Sequence, residues 1–202
     1  MTERGMIFNS EMVRAILDGR KTQTRRPVKF PVHDKNLGCE LAGNELAGEL
    51  SAGNYLNSAF GKPGDRIWVR ETWQAIHDYC DENGHVDERR YARSIPRHRG
   101  NYWHPVYEEA WGNESREDRE FPWRPSIHMP RWASRILLEI TDVRVERLRS
   151  MSQDDARAEG VIAASGPMEA GLAFRELWDS IYGEESWKAN PWVWVITFRR
   201  VE

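Results

Sequence analysis

The run Pro191-Trp192-Val193-Trp194-Val195-Ile196-Thr197-Phe198 most narrows what this chain can become. Large apolar side chains occupy both parities of it, so an extended segment here has no face left for water. It must be a central strand packed on both sides, which excludes a fold without a sheet. The other regular segments are arranged around it. Gly5-Met6-Ile7-Phe8 is short, apolar and β-compatible. Ser10–Leu17 puts Met12, Val13, Ile16 and Leu17 on one helical face, with Ser10 as a good N-cap and Gly19 as the residue that stops the helix. After a Lys62-Pro63-Gly64-Asp65 turn, the strand-like stretch Arg66–Trp73 alternates, with Ile67, Val69, Glu71 and Trp73 on one side. Trp132–Arg147 reads as one long strand, bent or bulged near Thr141-Asp142. Ser152-Gln153-Asp154-Asp155 opens a helix that stops at Gly160, and Met168–Tyr182 forms another. This order, without strict βαβ alternation, gives an α+β fold around a small mixed sheet or barrel.

At 202 residues the chain suits one well-packed domain. Two stretches do not join the pattern and read as large loop insertions, at about 28–61 and 76–128. The second mixes Tyr102, Trp103, Tyr107, Trp111 and Trp123 with several arginines; such aromatics could stack bases, but more often they pin a loop to its domain. Lys and Arg number 29 against 32 Asp and Glu, a formal charge of -3, so any nucleic-acid contact needs a local basic patch such as Arg20–Arg26. Cys39 and Cys80 give no disulfide framework, which fits a cytoplasmic protein. No stretch approaches the length of a membrane span. His77, Cys80 and His85 are loosely spaced like ligands but lack a second pair, so neither metal nor cofactor is expected.

The chemistry concentrates in Gly19-Arg20-Lys21-Thr22-Gln23-Thr24-Arg25-Arg26-Pro27. An amine beside hydroxyls can work as a Lys–Thr base and nucleophile pair if burial lowers the lysine pKa. Lys21 and Thr24 are three apart, so a regular strand sets them on opposite faces and only a turn or bulge brings them together. Spacing alone favours a plainer role, a basic tail stabilised by the dipole of the preceding helix. Glu159 adds a third group. It stands in the last turn of its helix, where the dipole disfavours a carboxylate and raises its pKa. Glu71, sharing a face with large apolar residues, needs a cationic partner or a pocket edge.

Together these segments resemble the ASCH family of the PUA-like β-barrel superfamily. Within it they are most similar to the longer phage- and prophage-associated members and to the compact bacterial amidohydrolases that deacetylate N4-acetylcytidine. The resemblance covers residues 5–27, 62–73 and 132–200; the two insertions have no counterpart in the compact enzymes. It implies a small mixed β-barrel with flanking helices, and it carries a catalytic Lys, Thr and Glu onto Lys21, Thr24 and Glu159. The implied substrate is a modified cytidine nucleoside or a related small amide, with contacts at Arg20, Arg26, Glu71, Trp73 and Trp192. Either Lys21 activates Thr24 for attack on the acyl carbon, or Lys21 and Glu159 activate water while Thr24 donates to the oxyanion. The family also admits a non-catalytic RNA-binding module, using Arg20, Arg25, Arg26 and the insertion aromatics, or a ribonuclease.

Overall fold

The computed structural model describes residues 1–77, 91–100, 102–112, 114–162 and 169–201. In chain order the elements are β1 (Glu3–Ile7), α1 (Ser10–Leu17), β2 (Gln23–Pro27), β3 (Val32–His33), β4 (Glu40–Leu41), α2 (Gly43–Ser51), β5 (Arg66–Arg70), β6 (Trp73–His77), β7 (Trp103–Tyr107), α3 (Glu108–Trp111), α4 (Arg116–Arg119), β8 (Leu137–Arg147), α5 (Gln153–Ala158), α6 (Glu169–Tyr182), α7 (Glu184–Ala189) and β9 (Trp192–Arg200). Five strands hydrogen-bond in the order β1-β5-β8-β9-β2, and β3-β4 and β6-β7 form separate two-stranded sheets. Phe8 N donates to Arg70 O and Arg66 N to Thr2 O, so β1 runs parallel to β5. The pairs β8–β9 and β9–β2 are antiparallel. The fold is therefore α+β with a mixed sheet. Among the described residues no pairing joins the ends of this order into a closed barrel. No helix among them is long and apolar enough to cross a membrane.

The chain divides into two compact units. The first comprises Met1–Glu3, Ala15–Arg66 and Leu138–Val201. Its centre is β9, flanked by β2 and β8, with Val193 to Ile196 and Phe198 buried as the two-sided apolar run demands. Val193 and Val195 pack against Leu148, Ala156, Ala170, Phe174 and Trp178. Each large side chain buried there contributes about 1.5–3 kcal/mol. The other parity of β9 carries Trp192, Trp194 and Ile196 to the opposite face. The expected bend in β8 is a register shift between Ile140 and Asp142, while 131–133 forms a 3-10 turn outside the strand. Residues 28–61 are more than a loop: they hold the β3-β4 hairpin and α2, whose Leu46 and Leu50 are buried. Gly43, at the start of α2, lies against Trp192 so closely that a Cβ there would fall 2.3 Å from the indole Nε1.

The second unit comprises Arg4–Arg14 and Ile67–Leu137. Ile67, Trp68 and Val69 are all buried, so β5 is covered on both faces; it ends at Arg70, and Trp73 begins a new strand rather than continuing the first. Asn9 caps α1 in place of Ser10: Asn9 Oδ1 accepts from Met12 N at 2.8 Å, and the Ser10 hydroxyl instead donates to Glu108 at 2.9 Å. Trp73, Ala75, Ala92, Met129 and Ala133 form the core, with Trp132 edge-on to Trp73. Trp111, Phe121 and Trp123 pack edge-to-face on one another.

Candidate active site at the Lys21–Glu159 pair

Ser152 and Asp155 begin the construction of the site. The Ser152 hydroxyl accepts from Asp155 N, and the Asp155 carboxylate accepts from Ser152 N at 2.9 Å, a reciprocal cap that fixes the start of α5. After six helical residues the chain reaches Glu159, the C-cap, and Gly160 turns it with φ of +88°. That turn lets Glu159 bridge to Lys21 in antiparallel register, while Thr22 N donates to Ala158 O at 2.8 Å and Lys21 N to Ala15 O at 2.9 Å. A side chain at Gly160 would meet the Cβ atoms of Ala15 and Lys21 at 2.8 Å, so only glycine fits.

The Lys21 ammonium donates to Glu159 Oε2 at 2.9 Å and to the Glu159 backbone carbonyl at 2.9 Å. One nitrogen thus caps the helix end and neutralises the carboxylate that the dipole disfavours. Arg25 holds the second carboxylate oxygen, Nη1 to Oε1 at 3.0 Å. Its Nη2 donates to Glu146 at 2.7 Å, and its Nη1 also donates to Gln23 Oε1 at 2.7 Å. Gln23 Nε2 reaches Asp155 Oδ1 at 3.2 Å, and Arg144 closes the ring on Asp155 at 2.9 Å. The side chains of Lys21 and Arg25 are fully buried and that of Glu159 is nearly so. Burial pushes the Lys21 amine down from the ordinary lysine value; the charge of Glu159 and its hydrogen bond oppose this, and the charges of Arg26 and Arg25 add to it. For Asp155, burial alone would raise the pKa. The Ser152 N–H and hydroxyl, Gln23 and the Arg25 charge outweigh it and hold the carboxyl well below its usual range.

The structure separates the three catalytic residues expected from sequence into two groups. Lys21 and Glu159 meet. Thr24 is buried in the regular part of β2, opposite Ile196, and strand alternation sends it to the face away from Gln23 and Arg25. Among the described residues no hydrogen bond joins it to Lys21 or Glu159. Arg20 is half-exposed and bonds the Gly160 carbonyl at 2.7 Å and Asp18 at 3.0 Å. Arg25, expected on an RNA-facing surface in the binding-module alternative, is instead wholly interior. Trp192 is wedged against Gly43 beneath the Arg147 guanidinium, 4.6 Å from its ring. Glu71 and Trp73 belong to the other unit: Arg135 grips both oxygens of Glu71 at 3.0 and 2.9 Å, and Trp73 lies in that unit's core. Cys80 and His85 lie outside the described residues, among which no cluster of three or more His, Cys, Asp or Glu could hold a metal ion.

The first unit also has a cavity of about 540 Å³ lined by Arg26, Lys29, Phe60, Tyr182 and Trp194, with Pro27, Val32, Asn57 and Ala59. Of the sequence candidates only Arg26 lines it. Arg26 and Trp194 are cross-strand partners on the parity that bears Thr24, opposite to that of Arg25. Trp194 shares its parity with Trp192, and parity was the one signal that pointed to it; Phe60 and Tyr182 carry no comparable signal. Comparison with family models, with curated proteins and with solved structures finds no match to this chain.

Proposed function

We propose that this chain is an amidohydrolase that removes the acyl group from N4-acylated cytosine nucleosides, with N4-acetylcytidine as the type substrate, on a fold of PUA-like kind. The observation that supports it most is the Lys21–Glu159 pair: a buried amine with a depressed pKa, 2.9 Å from a buried carboxylate. An amine whose pKa burial lowers, set against a carboxylate, is the kind of pair general acid–base catalysis uses. Neutral Lys21 takes a proton from water, the hydroxide adds to the acyl carbonyl, and Glu159 steers the proton to the departing exocyclic amine. The products are the cytosine nucleoside and the carboxylic acid. The placement of Thr24 favours water over the threonine hydroxyl as nucleophile. Turnover requires the closed pair to open to substrate.

The test is release of cytidine from N4-acetylcytidine by the full chain. Lys21→Met and Glu159→Gln are expected to lower kcat/KM by at least about a hundredfold each, the scale of a lost proton-transfer group. Thr24→Val is expected to retain most activity. Full activity in Lys21→Met removes the proposed chemistry, and loss in Thr24→Val together with retention in Thr24→Ser restores the acyl-threonine route.

A further inference from the structure

The first unit has a second concavity, in which neither Lys21 nor Glu159 takes part. It is a cleft of about 330 Å³ between the turn at 148–150, the start of α5, α6 and α7. Its floor is apolar and held in place. Met151 and Trp187 pack against the core around Phe174, and Trp187 lies 6.4 Å from the Phe174 ring. From α6, Leu172 and Arg175 reach the cleft one turn apart. Leu172 is 60 % exposed there, apolar surface whose covering would be favourable. The neutral polar groups of the wall are largely spent. The Ser152 hydroxyl is engaged in both directions with Asp155, and Gln153 Oε1 accepts from Gly171 N at 3.1 Å.

The charges are not spent. Among the described residues no carboxylate lines the cleft. Arg149 bonds Asn190 through its backbone N–H at 2.8 Å, which leaves its guanidinium without a hydrogen bond or ion pair. Arg175 is held loosely: its Nε is 3.5 Å from Asp179, and its guanidinium lies 5.9 Å from the Trp187 ring centroid. We infer that this cleft binds a small amphipathic carboxylate, its aryl or alkyl body on Met151, Leu172 and Trp187 and its carboxylate on Arg149 and Arg175. Guanidinium forks match carboxylate oxygens in plane, and two of them beside an apolar floor select an acid that carries a body. A bare inorganic anion would leave Leu172 and Met151 wet. A peptide would bring backbone amides that this wall, with its neutral groups largely spent, does not pair. The volume is at the lower end of the small-molecule range, which also favours a compact ligand. The inference is independent of the hydrolase reading.

The experiment is calorimetric titration of the intact chain with naphthoate, its uncharged amide naphthamide, acetate, inorganic phosphate and a short peptide of leucine and aspartate. Naphthoate is expected to bind at least about tenfold more tightly than each of the others, the scale of one charge-assisted hydrogen bond. Arg149→Gln is expected to weaken naphthoate about tenfold for the same reason. Leu172→Glu, which sets a carboxylate beside both arginines and removes part of the floor, is expected to abolish binding. Both positions are exposed, so the fold tolerates the changes. Phe60→Ala, in the wall of the larger cavity, is expected to leave naphthoate binding unchanged. No naphthoate binding below about 1 mM overturns the proposal. So does equal binding of the amide, equal binding of acetate or phosphate (an adventitious ion only), or tighter binding of the peptide. Affinity lowered by Phe60→Ala and indifferent to Arg149→Gln and Leu172→Glu places the probe in the larger cavity and overturns it as well.

Discussion

Two interior carboxylates, one in each unit, are solved differently. Glu71 is held by Arg135 through two parallel hydrogen bonds; the same guanidinium also reaches Glu109 at 2.9 Å and lies 4.2 Å from the Tyr107 ring centroid. The only cation there is a guanidinium, which does not lose its proton, so the cluster serves as a joint. Glu159 is divided between Arg25, which cannot lose its proton, and Lys21, which can. The difference lies in the partner and not in depth, because both carboxylates are almost wholly buried. A titratable cation opposite a buried acid is what makes one cluster a proton-transfer candidate and the other an architectural one.

Truncating each acid should expose that difference most strongly. Glu159→Ala leaves Lys21 and Arg25 facing each other in the interior, and breaking a buried pair this way costs about 3–5 kcal/mol. Glu71→Ala leaves Arg135 with 27 % of its side chain exposed and with Glu109 still bound, so the loss expected is nearer to that of one charged hydrogen bond, about 1–3 kcal/mol. Urea denaturation of the two variants measures both. Equal losses, or a larger one at Glu71, would break the comparison.

The backbone under Glu159 gives the next effect. Gly160→Ala puts a Cβ against Ala15 and Lys21 at a residue with φ of +88°. Gly64 has nearly the same φ, +89°, but nothing within 4 Å, so Gly64→Ala isolates the conformational part, about 1–2 kcal/mol. Gly160→Ala should cost clearly more than Gly64→Ala and lower turnover as well, since Lys21 must shift. Matching thermal midpoints for the two would mean that the Lys21–Glu159 bridge yields freely. A smaller effect is expected at the helix cap that starts the same segment. Ser152→Ala should cost about 1 kcal/mol, as should Ser115→Ala, which uncaps α4 in the other unit. Only the first should depress hydrolysis, which initial rates with N4-acetylcytidine would show.

What could be read from the chain follows the range of the interactions. The central strand β9, the stop at Gly19 and the Ser152–Asp155 cap depend on neighbours a few residues away, and periodicity or cap chemistry displays them. Glu159 was visible as a carboxylate at the wrong end of its helix. Its partner set was not, because Arg25 and Glu159 are 134 residues apart and meet only once α5 packs on β2. The same holds for Glu71 and Arg135, 64 apart. Trp192 and Trp194 are indistinguishable by parity; what assigns the cavity to Trp194 is the abutment of Gly43 on Trp192, set by α2 inside a stretch that reads as loop. That stretch owes its order to long-range bonds such as Asn57 to Asp34, which no local pattern announces.

The subtlest separation of the two carboxylate sites is by the sign of their pH dependence. Lys21 has its pKa lowered from 10.5 on folding, so in the window below that value the unfolded chain binds more protons at this position than the folded one. Its contribution to stability therefore rises with pH through that window and levels off once the unfolded lysine is neutral. Glu71 has its pKa raised from 4.5, because burial outweighs the hydrogen bonds and charge of Arg135. In the window above 4.5 the folded chain binds more protons, so its contribution is full at lower pH and is lost as pH rises through the folded pKa. Urea denaturation across both windows, with Lys21→Met and Glu71→Gln beside the parent chain, isolates each slope by difference. Lys21→Met should remove a positive slope in the alkaline window, and Glu71→Gln a negative one in the acid window. Slopes of the same sign would show that Lys21 stays charged through folding, leaving the Lys21–Glu159 pair a fixed joint like its counterpart and removing the physical basis of proton transfer.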